Sequence, residues 1–120
     1  LAALLHDASE CYMSDVPRPF KKSLPKYQRQ EEKLLCIIYE KYLGTGLSAK
    51  EEQQLKNIDN DLLWYDLKFL LNEEPPQPKP SVCVPIDYTV RPFQEVEDEY
   101  RMLFKQLRAD IHNSDLLDHD

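Results

Sequence analysis

The sequence predicts an all-α protein, and three observations carry that reading. Glycine occurs only twice in 120 residues, at Gly44 and Gly46, too sparsely for a turn-rich β fold. Apolar residues recur three and four positions apart in successive stretches, the spacing that lines one face of a helix. Prolines fall at the edges of those stretches, where helices start or stop.

Residues 1 to about 14 read as the first helix, with Leu1, Leu4, Leu5, Ala8, Cys11 and Tyr12 on one stripe. Pro17 and Pro19 cannot continue it. Residues 15–22 are therefore expected to form a stiff loop carrying Arg18, Lys21 and Lys22. A second helix should open near Pro25, a residue suited to a first helical turn. It places Tyr27, Leu34, Leu35, Ile38 and Tyr42 on one face and ends at Gly44 and Gly46. A third starts at Ser48, because Ser48-Ala49-Lys50-Glu51 is a capping box. It runs through Leu55, Ile58, Leu62, Leu63 and Leu70 to about Glu73. Residues 75–92 hold six of the nine prolines. They read as an extended, polyproline-like connection, with a short strand or turn around Val82 to Ile86. The last helix starts near Pro92 and is expected to bury Val96, Tyr100, Leu103, Leu107 and Ile111. Residues 113–120 are expected to be a frayed acidic tail. Roughly four helices then make one small domain over residues 1–120.

Composition narrows the function. With 42% hydrophobic and 31% charged residues, wholesale disorder is not expected. The net charge of −7 repels a phosphate backbone, which argues against a nucleic-acid polymer as partner. A small phosphorylated substrate stays open, because a metal ion can supply local positive charge. Neither glycine sits in a Walker or dinucleotide pattern. Cys11, Cys36 and Cys83 are odd in number and fit no zinc spacing, so they read as free thiols in a reducing compartment, the cytoplasm. No run approaches the roughly 20 apolar residues of a membrane span, and Leu1 to Leu5 is too short for a signal peptide. Leu1 is not an initiator Met, so the chain is expected to begin inside a longer protein, with its first helices missing.

Two features carry chemistry. The first is Leu4-Leu5-His6-Asp7-Ala8-Ser9-Glu10. His6 and Glu10 are four apart and share a helix face, with Asp7 one step around. Adjacent imidazole and carboxylate groups are good ligands for Mn, Fe, Co or Zn, though a lone His-Asp pair is equally the polar edge of an amphipathic helix. The second is the stripe Leu55, Asp59, Leu62, Asp66 and Leu70. Here two carboxylates interrupt an apolar face, as a helix-surface accident or as groups held by a partner.

Together these segments resemble the HD-domain metal-dependent phosphohydrolases. "LLHDASECYMSDVPRPFKK" is similar to the region around that family's His-Asp doublet, and "NIDNDLLWYD" to the helix that supplies its last Asp. The likeness is strongest to the 5′-deoxynucleotidase-like subfamily, in which His-Asp-Ala-x-Glu is followed by an Asp and a proline-containing loop. Here these are His6, Asp7, Ala8, Glu10 and Asp15, with Pro17 and Pro19. The resemblance covers the first 75 residues or so and implies an HD-like helical bundle. It makes His6, Asp7 and Asp59 metal ligands, with a further His expected on an upstream helix. Glu10 matches the catalytic acid and Asp15 lines the substrate site. Apart from the resemblance, Arg18, Lys21 and Lys22 could face a substrate phosphate at the cleft mouth or simply form an exposed basic loop, and Arg18 is the candidate substrate contact. Asp66 takes a structural role. The implied cofactor is one divalent transition metal (Mn, Co, Fe or Zn), with Mg as an alternative.

The implied activity is hydrolysis of phosphomonoesters, with (deoxy)nucleoside 5′-monophosphates as substrates. One alternative is an alarmone-type pyrophosphohydrolase, but that family has a Glu-Asp pair where this chain has Glu10-Cys11. Another is an inactive HD-like binding module. No membrane partner is expected, and a homodimer stays open.

Overall fold

A computed structural model describes residues 1–81 and 85–117. Its α-helices are α1 (Ala2–Leu5), α2 (Glu10–Met13), α3 (Arg18–Lys21), α4 (Pro25–Leu43), α5 (Ala49–Tyr65) and α6 (Phe93–Leu117), with a π-helical turn over Asp66–Leu70. Among the described residues there is no strand, and the all-α expectation holds. The chain divides into two compact units, Leu1–Leu47 with Glu97–Asp120, and Ser48–Val96.

In the first unit, the single helix expected over residues 1–14 is broken into α1 and α2. Between them the N–H groups of Ala8, Glu10 and Cys11 donate to carbonyls three residues back, a tighter winding than an α-helix. His6 Nδ1 lies 2.7 Å from the Ala3 carbonyl, the group an α-helix would offer to the Asp7 N–H. The segment ends at Ser14, whose φ of 68° and ψ of 162° lie in a region suited to glycine. The Tyr27 hydroxyl braces this bend, 2.6 Å from the Ser14 carbonyl and 3.2 Å from that of Met13.

The expected loop over residues 15–22 contains one helical turn, α3. Pro17 caps it and Pro19 lies in its first turn, where their fixed φ favours helix. Helix α4 matches its expected bounds. Pro25 opens it, and Gly44, with φ of 82°, closes it by donating its N–H to the Glu40 carbonyl at 3.1 Å.

The core of this unit is Leu5, Ile38 and Tyr39, packed against Leu34, Leu35, Tyr42 and Phe104. Tyr42 and Phe104 meet edge to face at 5.4 Å. The covered side of α6 is centred on half-buried Phe104, Leu107 and Ile111; of the expected face Leu107 and Ile111 lie there, whereas Val96, Tyr100 and Leu103 are more exposed. Tyr100 spends its hydroxyl on the Leu4 carbonyl at 3.0 Å. The frayed tail expected from residue 113 is helical as far as Leu117. There Ser114 donates to the Asp110 carbonyl at 3.0 Å. Residues 118–120 lie outside the described residues.

In the second unit the capping box of α5 forms as read. Ser48 Oγ accepts from the Glu51 N–H at 3.2 Å, and the Ser48 N–H donates to Glu51 Oε1 at 3.3 Å. Ser48→Ala is expected to cost about 1 kcal/mol in chemical denaturation. Among the described residues of this unit Tyr65 is the deepest, 7% exposed, and it joins Trp64 and Phe69 in an aromatic cluster. The helix stops short of Glu73 and widens into the π-turn, followed by Asn72 at a φ of 55°. The proline-rich connection returns along α5, where Trp64 Nε1 donates to the Gln77 carbonyl at 3.1 Å and the Tyr88 hydroxyl to Asp66 Oδ1 at 2.9 Å. Asp66 thus ties down the connection. Of the strand or turn expected around Val82 to Ile86, residues 82–84 lie outside the described residues, and Pro85 and Ile86 are irregular.

Candidate metal and acid–base site

His6 and Asp7 sit in the tight turns after α1. A carbonyl oxygen only accepts, so the 2.7 Å contact with Ala3 puts the hydrogen on His6 Nδ1. His6 Nε2 then faces Asp7 Oδ2 at 3.3 Å. An imidazole nitrogen and a carboxylate oxygen thus point at one another. A histidine whose second nitrogen is held by a carbonyl is the arrangement metal-ligating histidines adopt. The donor set of this pair therefore fits a divalent transition metal.

Glu10 opens α2 and is half-buried. Burial pushes its carboxyl above the ordinary range. The Asp7 and Asp15 charges and a hydrogen bond to Asp15 push the same way, against an opposing pull from Lys21. That hydrogen bond favours the protonated form of Glu10. Asp15 comes within reach because the chain bends sharply at Ser14. The bend is thus what brings Asp15 beside an acid five positions earlier.

Of the three basic residues expected in the loop, Arg18 and Lys22 are exposed and Lys21 is not. Lys21 Nζ lies 3.1 and 3.3 Å from the two Glu31 carboxylate oxygens and 5.9 Å from the Tyr27 ring centroid. Burial alone would lower its pKa. The Glu31 hydrogen bond and the negative charges around it outweigh burial and raise it.

Asp59 lies on α5, in the other unit. It is half-buried, as is Asp61, so burial does not distinguish them. The stripe read as a packed face is only partly covered, since Leu62 and Leu70 are exposed. Among the described residues no three His, Cys, Asp or Glu side chains gather into one group able to hold a metal.

Lys21, Tyr27 and Glu31 were not legible as one cluster. Tyr27 and Glu31 are one helical turn apart on α4, a spacing found on any amphipathic helix, and nothing local points Lys21 at them. Ser9, nearly fully buried, was likewise unmarked.

No protein-family model matches the chain, and no solved structure does. The chain is similar to a protein of Escherichia coli (strain K12) described as uncharacterized protein YfdR, with 55% identity over 40 residues. The match covers 33% of this chain and 22% of the length of that relative.

Proposed function

We propose that the full-length protein is a metal-dependent phosphomonoester hydrolase acting on (deoxy)nucleoside 5′-monophosphates. The observation that carries this reading is the grouping of a paired imidazole and carboxylate, His6 and Asp7, with Glu10, an acid pushed above its ordinary range, within one turn of chain. The likeness to HD-domain hydrolases supports it and adds Asp59 as a third ligand. A divalent metal held by these residues would polarise a phosphoryl oxygen and make its bound water more acidic.

The chain's own residues then have separable tasks. The Ala3 carbonyl orients the His6 ring. Glu10 delivers its proton to the departing ester oxygen, a role suited to a carboxyl held above its usual range. Asp15 orients the Glu10 carboxyl through their hydrogen bond and accepts from a substrate hydroxyl.

The test is a phosphatase screen of the metal-loaded full-length protein over nucleoside monophosphates, reading released inorganic phosphate. Activity that survives chelation, or none on any phosphomonoester, would overturn the reading. Asp15→Ala is expected to leave metal content unchanged and weaken nucleotide binding by about 10-fold, the worth of one hydrogen bond to a charged group. Metal analysis and a binding isotherm, measured separately, check this. Loss of metal at constant affinity would show Asp15 to be a ligand.

A further inference from the structure

We infer that Lys21 is the cation that receives the substrate's phosphate, and that Glu31 stores it in the absence of substrate. The inference rests on the phosphohydrolase reading above. The problem it solves is electrostatic. Asp7 and Asp15 place negative charge beside Glu10 at the proposed reaction centre, on a chain whose net charge is −7. A phosphomonoester dianion approaching these carboxylates is repelled. A divalent ion coordinated by Asp7 and a second carboxylate is already neutralised, so it offsets little of that repulsion.

A further positive charge is needed, and Lys21 is placed to supply it. It is near enough to Glu10 for each charge to act on the other. Its direction is fixed by Glu31 and by the Tyr27 ring beneath it. Its side chain is 26% exposed and that of Glu31 17%, so the ammonium is partly desolvated yet reachable. Arg18 and Lys22, being exposed, lack this fixed aim. An ammonium has three donors. The two Glu31 contacts occupy one side of it, and a phosphate oxygen can take a remaining donor or displace Glu31.

The same contacts would also suit a purely structural ion pair, and the experiment separates the two. Inorganic phosphate binding to the metal-loaded full-length protein is measured by calorimetry for the wild type, Lys21→Met, Lys21→Arg and Glu31→Gln. KM for a nucleoside monophosphate is measured in parallel. Lys21→Met should weaken phosphate binding and raise KM by about 10- to 100-fold, the worth of a charge-assisted hydrogen bond. Lys21→Arg should recover much of the loss. Glu31→Gln, which removes the competing charge, should tighten phosphate binding several-fold. A structural ion pair makes the opposite demand: both single variants break it and both should weaken binding alike. Equal losses in Lys21→Met and Glu31→Gln, or no measurable phosphate binding by the wild type, would overturn the inference. If the opposed effects on phosphate binding appear without hydrolysis of any phosphomonoester, the hydrolase reading fails and the anion site stands. Should Lys21→Met not fold, Glu31→Gln and Lys21→Arg still decide the sign.

Discussion

Glu10→Gln is expected to lower turnover of the full-length protein by about 10²–10⁴-fold, the usual worth of a positioned acid. The metal should stay bound and the fold intact. Glutamine keeps the shape and the hydrogen-bond reach of Glu10, but it cannot release a proton to the leaving oxygen. Single-turnover measurements read the chemical step, and metal analysis reads the site. A decrease smaller than about three-fold would remove Glu10 from the mechanism. Stability offers an independent check. The Glu10 carboxyl is raised in the folded chain, by burial first and by Asp7 and Asp15 next. Such a group binds its proton more tightly folded than unfolded. Its contribution is fully present below its ordinary pKa and is lost as pH rises through the raised value. The Gln variant should not show that decline, so its denaturation midpoint should vary less with pH across this window.

Asp59→Ala is expected to reduce metal affinity of the full-length protein by at least about 100-fold, since even outer-shell partners of a metal are worth 10- to 100-fold. Asp61→Ala should leave it unchanged. Both residues lie inside α5, so their side chains leave the axis about 200° apart and only one can serve a given centre. Asp59 shares its stripe with Leu55, Leu62 and Asp66, and it precedes Asp66 by seven residues, the register of the family it resembles. Metal retained after dialysis decides the matter. An empty Asp61→Ala beside a loaded Asp59→Ala would reverse both the helix phase and the register.

Local signals were the legible ones. The Ser48–Glu51 box and the Pro25 and Gly44 boundaries could be read because each depends on residues within one turn of chain. The break at residues 6–9 could not, because the apolar stripe of Leu1, Leu4, Leu5, Ala8, Cys11 and Tyr12 runs on across it. The His6–Asp7 neighbourhood follows from adjacency in sequence, so it was visible early, whereas Asp15 comes beside Glu10 only through the bend at Ser14. Lys21 reaches Glu31 across the turn between α3 and α4, and a sequence of ordinary amphipathic character gives no reason to single out that pairing. Exposed Leu62 and Leu70 show the converse limit: helical periodicity reports an apolar stripe without saying what covers it.

The bend at Ser14 sets two evolutionary pressures against each other. A non-glycine residue at a φ of 68° and ψ of 162° carries on the order of 1–3 kcal/mol of conformational strain, and a mutation to glycine would relieve it. Glycine would also loosen the one joint that holds Asp15 against Glu10. Lineages selected for heat tolerance alone would drift toward glycine at this position. A serine kept here leaves the Tyr27 hydroxyl, 2.6 Å from the Ser14 carbonyl, to brace the strained joint.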